Sequence, residues 1–152
     1  MKRFILILIV ALLLAACAPA PSTQASANKN IPTASSAGLI RTDSQGAVTI
    51  TVTPLNFDKP GDTLKFDIGM NTHSVELSMD LTTLATLKTD TGVTLQPTGW
   101  DAPKGGHHID GTLSFPAVKN GKSILDGTKK LTLTITSIDK ATLTFAWDLN
   151  TK

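Results

Sequence analysis

Apolar residues at every second position, separated largely by threonine, run through most of this chain and restrict it to β-structure. Val48, Ile50 and Val52 alternate with Thr49, Thr51 and Thr53, and Leu64, Phe66, Ile68 and Met70 alternate with Lys65, Asp67 and Gly69. Val75, Leu77 and Met79 stand opposite Ser74, Glu76 and Ser78, and Leu131, Leu133 and Ile135 opposite Thr132, Thr134 and Thr136. Leu143, Phe145, Trp147 and Leu149 form a last set. Successive side chains of a strand point to opposite faces, so each set predicts a strand with one apolar and one polar face. Threonine, branched and half-polar, suits the wet face.

Turn residues divide these runs: Asp58-Lys59-Pro60-Gly61-Asp62, Thr89-Asp90-Thr91-Gly92, Lys119-Asn120-Gly121-Lys122 and Asp126-Gly127. Residues 84–87 and 93–95 read as a hairpin around Asp90, and residues 80–85 read alternatively as one helical turn capped by Asp80. Residues 109–115 add a strand stopped by Pro116. Seven to eight short strands with no long helical period predict an all-β fold, a single immunoglobulin-like antiparallel β-sandwich over residues 47–152. The lone cysteine excludes the Cys–Trp–Cys spacing of immunoglobulins proper, an internal disulfide, and a multi-cysteine metal site.

The first 46 residues are of another kind. Lys2 and Arg3 precede an unbroken apolar run, residues 4–14. As a helix that run rises about 16 Å, short of the roughly 30 Å of a hydrocarbon core, so residues 1–16 read as a signal peptide. Leu14-Ala15-Ala16-Cys17 resembles the lipobox of bacterial lipoproteins. The resemblance implies cleavage before Cys17, diacylglycerol on its sulfur, and a chain held by lipid on the cell membrane or outer membrane, facing the periplasm or exterior. Ala18, where an Asp would mark inner-membrane retention, implies the outer membrane in a double-membraned cell. Two acyl chains meet the requirement for stable attachment. Residues 17–46, rich in Ala, Pro, Ser, Thr and Asn, read as a disordered tether reaching of order 30 Å, with Leu39-Ile40 its one apolar pair.

Charge follows the same division. Without residues 1–16, which hold Lys2 and Arg3, the Lys+Arg count falls from 14 to 12, equal to the 12 acids. A formally neutral domain with 5% aromatic residues carries no nucleic-acid footprint.

Two further segments carry a resemblance. Asn71-Thr72-His73-Ser74-Val75-Glu76-Leu77, and Gly99-Trp100-Asp101 through Gly105-Gly106-His107-His108 to Gly111-Thr112-Leu113-Ser114-Phe115-Pro116, resemble an uncharacterised β-sandwich domain of secreted and membrane-anchored prokaryotic proteins. The resemblance spans residues 48–149 and implies a fold without a mechanism.

All three histidines, His73, His107 and His108, fall inside those segments. Clustered imidazoles near Met70, Met79, Asp101 and Asp110 suggest a copper or zinc site, with Gly105-Gly106 bending the backbone. Adjacent strand residues point apart, however, and the methionines are in phase with apolar faces, so a purely structural role is the competing reading. Trp100 and Asp101, between Pro97 and Pro103, form a candidate recognition loop, unless Trp100 simply covers the end of the sandwich. An enzyme is not expected. Glu76 is the only glutamate, Ser74 and His73 point apart, and nucleophile-elbow, P-loop and dinucleotide motifs are absent. The expectation is a non-enzymatic lipoprotein whose partners are the membrane, through Cys17, and an envelope protein or glycan, with copper or zinc binding as the alternative.

Overall fold

The computed structural model describes residues 37–149. The expected signal peptide, Cys17 with its expected lipid, and the expected tether up to residue 36 lie outside the described residues. A turn of 3-10 helix, Ala37–Leu39, leads into β1 (Arg41–Asp43), β2 (Val48–Pro54) and β3 (Thr63–Thr72). A single helical turn, α1 (Leu81–Leu84), precedes β4 (Ala85–Thr89), β5 (Thr94–Leu95), β6 (Gly99–Asp101) and β7 (His108–Pro116). The chain closes with a small hairpin of β8 (Val118–Lys119) and β9 (Lys122–Ser123), then β10 (Lys130–Ile138) and β11 (Ala141–Asp148).

Two antiparallel sheets form, in the order β1-β2-β3-β7-β6 and β11-β10-β4-β5. Lettering β2, β3, β4, β6, β7, β10 and β11 from A to G gives A-B-E-D facing G-F-C, the arrangement of an immunoglobulin-like sandwich, with β5 appended beside C. Nine strands make up the two sheets against the seven or eight expected, because β1, β5 and β6 are only two or three residues long.

The period-two pattern is realised in β2, β3, β10 and β11. Val48, Ile50, Val52, Leu64, Phe66, Ile68 and Met70 are buried, as are Leu131, Leu133, Ile135, Leu143, Phe145 and Trp147. The hairpin around Asp90 and the Asp80-capped turn both form; the Asp80 carboxylate accepts from the Thr82 N–H at 2.9 Å. The Asn120-Gly121 turn, with φ of 53° and 73°, closes the β8–β9 hairpin.

The folded part begins inside the stretch read as tether. Leu39 packs on the core, and its carbonyl accepts from Trp147 Nε1 at 2.5 Å. Arg41 Nε donates to the Ala146 carbonyl at 3.0 Å, so β1 pairs with β2 of one sheet while gripping β11 of the other.

Candidate functional site

The sandwich has two ends. At the Phe57 end the chain arrives through residues 38–40, near Leu125 and Leu149. Phe57, Phe66 and Trp147 meet there with ring centroids 5.5–5.8 Å apart. At the other end, β3 finishes and β7 begins, and the three histidines gather.

That end is built on polar backbone contacts. Thr72 is buried; its N–H donates to the His107 carbonyl at 3.0 Å and its hydroxyl to the Ala47 carbonyl at 2.8 Å. Beyond it the chain leaves the sheet, contrary to the strand expected over residues 74–79. Leu77 is buried in the core, but its N–H and carbonyl engage the Gly106 carbonyl and the Gly105 N–H, both at 3.0 Å. Those glycines, at φ +80° and +107°, cannot continue a regular ladder, so pairing stops after one residue.

Glu76 is correspondingly misplaced by the strand reading. Its Oε1 accepts from the Gly106 N–H at 2.7 Å and lies 2.7 Å from where a Cβ on Gly105 would sit. The only glutamate therefore latches the glycine loop.

His108 opens β7 directly opposite Asn71 of β3, and its Nδ1 meets Asn71 Oδ1 at 2.7 Å. With the amide oxygen accepting, Nδ1 carries the proton, so in the neutral ring the lone pair lies on Nε2. The His73 ring stands edge-on to His108 with centroids 6.2 Å apart. His107 contributes its carbonyl to the pairing with Thr72, and all three histidine side chains are exposed. Met70 is core, and Met79 is half-buried against it. Asp110 and Asp101 lie on the outer face of the first sheet, opposite Gly69 and Thr112. Burial, and then the Asp110 charge, push the Asp67 carboxyl above its usual 3.8. Among the described residues, no group of three or more His, Cys, Asp or Glu is placed to hold a metal ion.

Trp100 stands in a strand rather than a loop. It occupies the middle of β6, opposite Leu113, and its half-buried ring lies over Gly111. A Cβ there would fall 2.6 Å from Trp100 Cη2 and 2.4 Å from Ala102 Cβ, so this approach requires glycine. Trp100 thus closes the flank of the sandwich beside α1, and Asp101 beside it is exposed. Trp100 also lines a cleft of about 350 Å³ with Ser78, Met79, Asp80, Thr82 and Lys104. Hydrogen bonds from the Thr82 hydroxyl and N–H, with Lys104 nearby, hold the Asp80 carboxyl below its usual value and charged.

Asn71 and Glu76 escaped the reading of the sequence. Each works through a partner 30 or more residues away, visible only once the β3–β7 register is known. Compared with family models, curated proteins and solved structures, the chain matches none of them.

Proposed function

We propose that this chain is a lipid-anchored envelope lipoprotein, tethered through Cys17, whose β-sandwich is a non-enzymatic binding module. The observation that supports this most is the separation of the two ends. The chain enters the fold beside Phe57 and Leu149, whereas the exposed imidazoles and the loops at residues 73–80 and 102–107 lie at the opposite end. An anchor on the incoming side leaves that far end unobstructed by the chain's own point of attachment.

The Trp100 cleft is the part of that surface best suited to a ligand. An indole edge beside the hydroxyls of Ser78 and Thr82, the Asp80 carboxylate and the Lys104 ammonium favours a glycan over an apolar peptide. Two experiments test the reading. A fatty-acid label should enter the full-length chain expressed in bacteria and be absent from Cys17→Ser; equal labelling of that variant would refute the anchor. Titrating the full-length protein in detergent with soluble cell-wall glycan fragments should perturb Trp100 emission, with Trp147→Phe keeping the signal and Trp100→Phe losing it. A signal that survives Trp100→Phe would place the ligand elsewhere.

A further inference from the structure

Exposed apolar side chains are distributed as unevenly as the histidines, and at the opposite end. Among the described residues, the large apolar side chains left exposed are Ile40, Leu55 and Val118, each 37–39% accessible. Ile40 directly precedes β1, whose Arg41 pairs with Val52 near the end of β2. Leu55 directly follows β2, with its N–H on the Lys65 carbonyl at 2.9 Å. Val118 lies just past Pro116, which pairs with Thr63 where β3 begins. All three therefore sit at the Phe57 end. A cleft of about 300 Å³ opens there too, lined by half-buried Leu39, Phe57, Leu125 and Leu149. The loops at residues 73–80 and 102–107 expose no large apolar side chain. One exposed aliphatic residue needs no explanation, but a set gathered around an apolar cleft marks a contact surface.

Two observations say what covers it. The chain outside the described residues joins the fold at this end, at residue 37. The charges around the end are also mixed. Asp58 adjoins Lys59, Lys130 stands opposite Asp148, and Lys122 shares a cleft with Asp126. Aliphatic side chains rimmed by both signs of charge suit a zwitterionic headgroup layer over an acyl interior. We propose that the Phe57 end is a lipid-contacting surface, with Ile40, Leu55 and Val118 entering the interfacial layer of the bilayer. This contact, which rests on the lipid-anchor reading, need not be strong. A tether reaching about 30 Å holds the domain at an effective concentration of roughly millimolar order, which populates a contact too weak to form from solution.

The test uses the full-length, lipidated chain in phosphatidylcholine vesicles. Leu55→Cys and Val118→Cys each carry a fluorophore on the new thiol, the acylated Cys17 offering none, and Ser74→Cys at the His108 end is the reference. Bromine on the lipid acyl chains should quench positions 55 and 118 at least twofold and leave position 74 unaffected. Adding Leu55→Asp to the Val118→Cys chain should abolish quenching at 118 while the chain still sediments with the vesicles. Ile40→Asp takes its place if Leu55→Asp lowers the unfolding midpoint. Equal quenching at all three positions, or quenching that survives the aspartate, would overturn the proposal. So would emission that follows protein density rather than bromine, which would give the surface to a second copy of the chain. Absence of fatty acid from Cys17 refutes the anchor and this contact together. A lipidated, vesicle-bound chain without quenching overturns the contact alone.

Discussion

The two ends of the sandwich are held by different physics. At the Phe57 end, Phe57, Phe66 and Trp147 interlock and the indole N–H is satisfied by Leu39. At the His108 end, the loops are held by backbone hydrogen bonds, a glycine pair and one carboxylate. Apolar closure consumes the side chains that perform it. Polar closure through the main chain leaves the His73, His107 and His108 side chains exposed, so the histidines collect at one end.

Four substitutions bear on that contrast. Trp147→Ala removes the largest ring of the aromatic cluster together with its hydrogen bond to Leu39, and should cost about 3–5 kcal/mol in urea unfolding. A loss under about 1 kcal/mol would mean that the Phe57 end is not held by its core. Gly111→Ala drives a methyl group into Trp100 and Ala102 and should cost about 1–3 kcal/mol, with a red shift of Trp100 emission. An unshifted spectrum would contradict the packing described for β6.

Glu76→Ala should cost only about 1 kcal/mol, since the latch is exposed. Its clearer signature is hydrogen exchange, faster at the Gly106 amide and unchanged in the centre of the β3–β7 ladder. Acceleration across both would show the loop and the sheet to be one cooperative unit. The smallest effect belongs to Asp67. Its raised pKa means that the folded state holds the proton more tightly than the unfolded one. Its contribution to stability is therefore present at low pH and lost as pH rises through the folded-state value. Asp67→Asn should accordingly stabilise the protein at neutral pH by a fraction of a kcal/mol, screening by solvent keeping it small. The gain should vanish on acidification below the carboxylate range. Thermal unfolding at two pH values measures it.

Legibility in the sequence followed the same division. Strands that bury one face announced themselves, because β2, β3, β10 and β11 place alternate residues in a single core. Residues 74–79 showed the same alternation without being a strand. An extended loop pressed against a core also buries every second residue, and only the glycines at 105 and 106 show that its partner cannot form a ladder. β6 failed in the opposite sense, since Gly99-Trp100-Asp101 is too short to display any period. Of the candidate site, the histidines were visible as a cluster. Their division into an edge-on pair and a third residue that lends its carbonyl depends on register, which local sequence does not encode.

The grip of the first strand has a mechanical meaning. β1 runs from the Phe57 end toward the His108 end, antiparallel to β2, and Arg41 ties it to Ala146 of the opposite sheet. Tension on the preceding chain, with a ligand holding the far end, acts along the axis of β1 rather than across it. The hydrogen bonds to β2 are then loaded together in shear instead of being peeled one at a time. Arg41 and the Leu39–Trp147 contact add two fastenings in parallel. A module pulled from both ends would resist where it is first attached.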